Sequence, residues 1–383
     1  MVDIDIAIKS LDRHIEKIEA VLAFKIKSYN DSLRRERREG GVRRGEGELP
    51  YDLKREIAAH EEELSYAMRL RRNLISMKQN GMVTYSTPER HTNIGNNIIR
   101  YLVYGPTRTT TTSSNNNNNN NNNNIKTVVP LHGIGPSAER WSRVIPGLLK
   151  KQKNLRVIIP DIIGFGYSDK PRDVDYTVEF FVQSFLKPFL DNFGISNATI
   201  IGSSFGGQIA AEFAIEHPDL VEELVLVSPA GMMRQSNQTL DRYIATALNP
   251  DPKFEQVYEA FTEMVYDPSV VDEESVIDFM NRMRLPNAKY ALTSTLVNMM
   301  DAGRRLEVSG RLAAITAPTL IIWGENDRVI PIQYSHGFRV AIPNNKFVVI
   351  PMCGHTPHYE TPDIFNLEIL AWANWRRRRR RGR

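Results

Sequence analysis

One stretch limits the folds open to this chain more than any other. It is Ala198-Thr199-Ile200-Ile201-Gly202-Ser203-Ser204-Phe205-Gly206-Gly207, running on into Gln208-Ile209-Ala210-Ala211-Glu212-Phe213. The residues spell a buried β-branched strand, a glycine-flanked serine and an alanine-rich helix. In that setting G-x-S-x-G describes a sharp strand-to-helix turn that lifts a serine hydroxyl above the sheet edge. Gly202 and Gly206 are needed because so tight a turn leaves no room for their side chains. The serine between them must hold a strained backbone conformation. Ser204, not Ser203, is the candidate nucleophile, because only Ser204 has glycine at both two-residue offsets. A glycine-rich turn that merely joins strand to helix is the bland alternative, and it accounts for none of the residues below.

The surroundings supply a sheet for such a turn. A hairpin is expected over residues 91–104, with Gly95-Asn96 as its turn. Short apolar strands follow at 127–131, 156–159, 223–227, 319–323 and 346–350, alternating with helices at about 140–149, 178–193 and 363–374. Strands that alternate with helices imply a mostly parallel sheet covered on both faces. The segment 232–312 interrupts this rhythm with four helix-like stretches rich in Tyr, Phe and Met, such as Tyr243, Phe261, Met264 and Phe279. Large adaptable apolar groups of this kind suit a lid core and the wall of an apolar cavity. Arg282 and Arg284 in the same segment are expected to be solvated lid charges, with contact to a substrate carboxylate as the alternative reading.

With 383 residues the chain exceeds the usual single domain, so a large domain plus an appendage is expected. The appendage is residues 1–80. Ile4, Ile8, Leu11, Ile15, Ile18 and Leu22 are spaced 4-3-4-3-4, the seam of a coiled coil, and Lys25 weakens the repeat at its next position. An arginine-rich link containing Gly40-Gly41 separates this from a second helix over about 51–78, which together read as a helical hairpin. Self-association or docking of a protein partner is its functional reading; a stabilising extension is the plain one. The Thr/Ser/Asn tract over 107–125 is too polar to offset the cost of ordering and is expected to be disordered. It precedes the strand at 127–131, whereas ligands bind at the carboxyl ends of such strands, so it should be far from the chemistry.

A serine hydroxyl needs a base, an orienting acid and an oxyanion site. The base is His355, just beyond the last strand, and the acid is Asp327, just beyond the preceding one. The order Ser204, Asp327, His355 is that expected for a triad on this kind of sheet. His358 is a rival base one turn later, where reaching the cleft is harder. Glu325 is a rival acid too close to its strand end, and His132 is better placed to shape a loop. The oxyanion donors are the backbone amides of Ile134, in the loop Leu131-His132-Gly133-Ile134-Gly135, and Phe205, at a helix N-terminus that favours an anion. No phosphate-binding glycine loop is present, and the single cysteine, Cys353, excludes an intrachain disulfide or a multi-cysteine metal centre. Neither a cofactor nor a metal is expected.

His132-Gly133, Asp161-Ile162-Ile163-Gly164-Phe165-Gly166-Tyr167-Ser168-Asp169, Gly202-Ser203-Ser204-Phe205-Gly206-Gly207, Trp323-Gly324-Glu325-Asn326-Asp327 and Gly354-His355 occur in this order. Through them the region from about Thr92 to Trp375 resembles an α/β-hydrolase-fold enzyme. The resemblance implies a core in two parts, 90–231 and 313–375, with 232–312 as a helical cap. It gives Ser204, Asp327 and His355 the roles of nucleophile, acid and base, with Ile134 and Phe205 as oxyanion donors. Residues 1–80, the tract and the basic tail 376–383 lie outside it.

Ester hydrolysis of a small, apolar acyl substrate is the leading expectation. Its rival is C–C bond hydrolysis of meta-cleavage products by capped members of the family. Those members typically place asparagine before the nucleophile and an aromatic residue soon after the histidine, where this chain has Ser203 and Thr356-Pro357. A hydrolase-fold scaffold that uses the N-terminal hairpin is a third reading. Asp3 and Asp5 stand where a secretory leader is basic, and no apolar run is long enough to span a bilayer, so a cytoplasmic protein is expected. Arg376 to Arg381 are expected to form a solvated, frayed tail; membrane or nucleic-acid contact has no supporting motif.

Overall fold

The computed structural model describes residues 89–106, 125–233, 235–300 and 309–381, together with residues 12, 15, 16, 18–31, 53, 57, 60 and 64 of the N-terminal region. The chain divides into two compact units, Met1–Thr87 and Pro88–Arg383.

In the first unit residues 18–31 are helical, as are 53, 57, 60 and 64. Ile15, Ile18, Leu22, Lys25 and Tyr29 are among its less exposed positions, whereas Val21, Phe24 and Ile26 are 39%, 72% and 46% exposed. That 3-4-3-4 spacing is the seam periodicity, and Lys25 sits on it. The glycine-rich link of the expected hairpin lies outside the described residues, as do 107–124 of the tract.

The second unit is built on eight strands. They are β1 Glu89–Ile94, β2 Asn97–Tyr104, β3 Lys126–Leu131, β4 Leu155–Pro160, β5 Ala198–Ser203, β6 Val221–Val227, β7 Thr319–Gly324 and β8 Asn345–Ile350. Their order in the sheet is β1-β2-β4-β3-β5-β6-β7-β8. β1 and β2 form a hairpin in which Ile94 faces Asn97 across Gly95-Asn96, and Gly95 adopts the positive φ such a turn demands. β2 runs antiparallel to β4, and every later pairing is parallel. The interior strands β3, β5, β6 and β7 are runs of Val, Ile and Leu because helices cover both of their faces. The chain leaves β3 for β4 on one side and returns to β5 on the other. This reversal opens a crevice at the carboxyl ends of β3 and β5.

The helices are α1 Ile145–Lys151, α2 Lys187–Asn192, α3 Phe205–Glu216, α4 Gln238–Leu248, α5 Phe254–Met264, α6 Glu273–Arg284, α7 Ala288–Met300, α8 Ser309–Leu312, α9 Ser335–Ala341, α10 Pro357–Glu360 and α11 Pro362–Arg381. A single helix was expected over 178–193. Instead Phe180–Leu186 form a wider π-helical stretch that gives way to α2, where Pro188 has no N–H to continue the ladder. The stretch buries Phe181 and Phe185 under the sheet, and the Phe181 ring meets Phe205 edge-on at 5.0 Å. α4 to α7 lie between β6 and β7. Asn237 and Asp272 start two of them by accepting the amides of Leu240 (3.0 Å) and Ser275 (2.7 Å). α11 continues through Arg376 to Arg381 in place of the frayed tail expected there, since arginine is a good helix former and no breaker intervenes. No helix among the described residues is long and apolar enough to cross a membrane.

Candidate active site

Ser204 joins β5 to α3 with φ 53° and ψ −120°, a conformation that non-glycine residues avoid. The cost is about 1–3 kcal/mol, and its surroundings must impose it. They do so through its backbone: the Ser204 N–H donates to Val227 O (2.9 Å), and the Ser204 carbonyl accepts from Ala230 N (2.9 Å). A side chain on Gly202 would strike the Gly206 carbonyl, and one on Gly206 would strike the carbonyls of Leu131 and His132.

The loop after β3 lies against this serine; a Cβ built on Gly133 would stand 3.2 Å from Ser204 Cβ and 3.7 Å from its Oγ. His132 fixes that loop. Its Nε2 accepts from Ile162 N (3.0 Å), which leaves Nδ1 to donate to Gly133 O (2.7 Å). A trans peptide directs its C=O and N–H to opposite sides. Anchoring the Gly133 carbonyl therefore turns the Ile134 N–H the other way. Burial, against the opposing pull of Asp161, drives the His132 pKa down to about 4, so the ring is neutral and keeps the tautomer this requires. Phe205 opens α3, so its amide has no acceptor within the helix.

His355 follows β8, and its Nδ1 lies 2.8 Å from Asp327 Oδ2. Asp327 follows β7; its other oxygen accepts the amides of Val329 (2.9 Å) and Ile330 (2.8 Å), so the carboxylate is fixed in place. His355 and Asp327 are buried at 2% and 6% exposure, whereas Glu325, the rival acid, is exposed. Ser204, His355 and Ile134 line one cavity of about 50 Å³, together with Arg140, Tyr243 and His358. Thus the sheet brings all of the sequence-predicted site residues to one set of strand ends.

Two expectations fail here. Arg282 is not a solvated charge: it is 5% exposed, donates from Nη1 to Gly135 O (2.5 Å) and pairs through Nε with Asp278 (2.9 Å). Burial works against its charge, but Asp278 and its neighbours more than offset that and raise the pKa. Arg284 alone of the pair is the exposed one. His358 does reach the cavity. Its ring stacks on Trp141 at 4.0 Å, because α10 begins at Pro357 and turns the next side chain inward.

Other residues gave no signal in the sequence. Glu360 Oε2 accepts the amides of Gly354 (2.7 Å) and Tyr266 (2.8 Å), and Oε1 accepts that of Thr356 (2.8 Å). One carboxylate thus braces both sides of His355 and ties them to the segment after α5. The His355 amide itself donates to Met264 O (2.9 Å). Tyr243 from α4 donates to Ile134 O (2.8 Å), the peptide next to the one His132 holds. Arg100 on β2 pairs with Asp161 and Glu139; burial opposes its charge, but these two acids raise its pKa well above the usual value. Asp161 in turn accepts from Ala138 N (2.6 Å) and Tyr167 N (2.8 Å). Cys353 is a small buried residue whose thiol pKa burial raises. Among the described residues no group of three or more His, Cys, Asp or Glu side chains is arranged to hold a metal ion.

The profile of the alpha/beta hydrolase fold family matches residues 126–362. The chain belongs to that family. The hydrolase is 30% identical over 256 residues to a 2-hydroxy-6-oxononadienedioate/2-hydroxy-6-oxononatrienedioate hydrolase of Pseudomonas sp, covering 64% of this chain and 87% of the relative. It is 31% identical over 240 residues to the 2-hydroxymuconate semialdehyde hydrolase of Pseudomonas sp. strain CF600, covering 60% and 80%. Among solved structures, the meta-cleavage product hydrolase of Pseudomonas fluorescens IP01 superposes with a TM-score of 0.62 at 24% identity, covering 74% of this chain and 97% of that one. A membrane phospholipase A superposes with a TM-score of 0.65 at 22% identity, covering 85% and 96%. These relatives put the hydrolase in the meta-cleavage-hydrolase-like branch of the family.

Proposed function

We propose that the hydrolase cleaves a C–C bond in a meta-cleavage-type 2-hydroxy-6-oxo-dienoate, with Ser204 as nucleophile, His355 as base and acid, and Asp327 as orienting acid. The activities carried by its curated relatives support this reading most directly, at 30–31% identity over 80–87% of their lengths. The buried His355–Asp327 pair supports the serine chemistry, because a carboxylate on Nδ1 directs the lone pair of Nε2 outward as a base.

In this reading the dienol first ketonises, with a proton delivered to C5. Ser204 Oγ then attacks the C6 carbonyl while His355 takes the hydroxyl proton. The developing oxyanion is met by the amides of Ile134 and Phe205. Collapse breaks the C5–C6 bond, and its electron pair passes into the conjugated C2 carbonyl to give a dienol after reprotonation. Water, activated by His355, releases the acid from the acyl-serine and restores the hydroxyl.

Carboxylic ester hydrolysis is the second reading. It is favoured by Ser203 before Ser204 and Thr356-Pro357 after His355, where carbon–carbon hydrolases of the family typically differ. One panel separates the two. It sets the conjugated 2-hydroxy-6-oxo-6-phenylhexa-2,4-dienoate, the compound for whose hydrolysis a Burkholderia cepacia relative is named, against p-nitrophenyl esters of increasing chain length. Loss of the dienoate chromophore with kcat/KM at least about 100-fold above the best ester is expected. Turnover of the esters alone would replace the first reading with the second. Ser204→Ala should lower either activity by about 10,000-fold or more, and unchanged activity in that variant would remove both.

A further inference from the structure

The cavity beside Ser204 contains a cation that the triad chemistry does not use. Arg140 is the third residue of the short turn Ala138–Trp141 that follows the loop after β3, and its side chain lines the cavity. Among the described residues its guanidinium makes no hydrogen bond and no ion pair. Its neighbours are ring faces, with Tyr359 at 4.2 Å and Phe261 at 5.7 Å from the guanidinium carbon. The arginines around it differ. Arg100 has Asp161, Glu139 and Glu89; Arg143 has Asp272; Arg282 has Asp278 and a carbonyl. Asp272, the acid nearest in influence to Arg140, is already committed to Arg143, to the Tyr359 hydroxyl at 2.8 Å and to Ser275 N. Burial lowers the Arg140 pKa, yet a guanidinium keeps its proton at any working pH.

A second group on the same wall is also without a partner. His358 is fully buried, and neither ring nitrogen has a hydrogen-bond partner. Burial, followed by the charge of Arg140 and by His355, pushes its pKa well below the usual value, so it is a neutral ring with one N–H to donate. An unsatisfied buried donor costs about 1–3 kcal/mol, and an arginine without a counter-charge adds to that cost. Such a cost is retained in a fold when a ligand removes it.

We propose that Arg140 and His358 form an anion subsite that receives one carboxylate of the substrate in the same cavity as Ser204. One fixed cation matches one negative charge, and the planar fork of a guanidinium fits the two oxygens of a carboxylate. The neutral imidazole adds a third donor. Trp141, Tyr359 and Phe261 exclude water from the pair, which strengthens the attraction. A phosphate dianion would bring a second charge with no cation to meet it. The inference rests on Ser204 being the reacting centre, but not on which bond is broken.

The test is a ratio. For a dienoate substrate and its methyl ester, kcat/KM of the wild-type hydrolase should favour the acid by about 30-fold, in line with a charged hydrogen-bonded contact. Arg140→Met should bring that ratio to about 3-fold or less, mainly through KM for the acid, and Arg140→Lys should restore part of it by keeping the charge without the fork. His358→Phe, which keeps the stack on Trp141, should lower the ratio about 5-fold. A second pair, p-nitrophenyl hemisuccinate and p-nitrophenyl pentanoate, reads the same preference when no C–C bond is broken. Should only this pair be turned over, with its ratio dependent on Arg140, the subsite stands and the carbon–carbon reading falls. A wild-type ratio near 1 in both pairs, or a ratio in Arg140→Met equal to wild type, overturns the subsite. So does a uniform loss of kcat for acid and ester alike in Arg140→Lys with thermal melting unchanged, because that would mark a structural arginine.

Discussion

At the scale of single residues, the site depends on side chains that never meet substrate. His132 is one of them. Its folded pKa of about 4 lies below the value near 6.5 of an unfolded histidine, so between these limits the unfolded chain binds the proton and the folded one does not. Its contribution is fully present above pH 6.5 and is lost as pH falls towards 4, to the extent of about 3 kcal/mol. Urea unfolding at pH 7 and pH 5 should show this loss, and His132→Asn should flatten it. An equal slope in wild type and variant would assign the pH dependence elsewhere. Glu360 is the second such residue. Glu360→Gln puts an NH2 group against one of three amides, which should lower unfolding stability by about 2 kcal/mol and kcat by about 10-fold, with the loss read by denaturant melts and initial rates. Ser204, Asp327 and His355 were legible in the sequence because each follows its own strand and the local pattern marks it. Glu360 and Arg140 were not, and His358 was read only as a rival base, since what these residues do depends on which distant segments fold against them. The amides that donate to Glu360, for example, come from residues 266, 354 and 356.

At the scale of elements, the insertion α4 to α7 does more than roof the cavity. Tyr243 on α4 and Arg282 on α6 hold the carbonyls of Ile134 and Gly135, so two helices that are distant in sequence set the peptide planes of the loop after β3. The sequence showed helix-like stretches here, and in the structure Asn237 and Asp272 cap the starts of α4 and α6. The buried charge was not readable. An arginine two residues from the end of α6 looks like any solvated helix charge until the loop beneath it supplies Gly135 O. In the proposed reaction this contact steadies the loop that presents the Ile134 amide, so Arg282→Gln should lower kcat by about 30-fold with KM changed less than about 3-fold, and Arg282→Lys should recover part of it. Steady-state kinetics on both variants checks this; a rise in KM with kcat intact would make Arg282 a substrate contact instead.

At the scale of the whole molecule, chemistry and connection occupy opposite edges of one sheet. Ser204, Asp327 and His355 follow the carboxyl ends of β5, β7 and β8. The segment carrying the asparagine run leaves from the end of β2 and returns at the start of β3, and both anchors lie beside the beginning of β4, where Tyr104 faces Val157 and Lys126 faces Leu155. Removing Asn115 to Asn124 should therefore leave kcat/KM within about 2-fold of wild type, and a larger change would tie the tract to the site. Loop closure grows only logarithmically, so doubling the segment should cost about 0.6 kcal/mol in a melt. The same arithmetic has a consequence for how such a chain changes over generations. A homopolymer lengthens and shortens easily when its gene is copied, and here each gain or loss of a few residues falls where the fold barely registers it. The segment's length can thus drift from copy to copy while the spacing of the strands, and with it the reach of Ser204 to His355, does not.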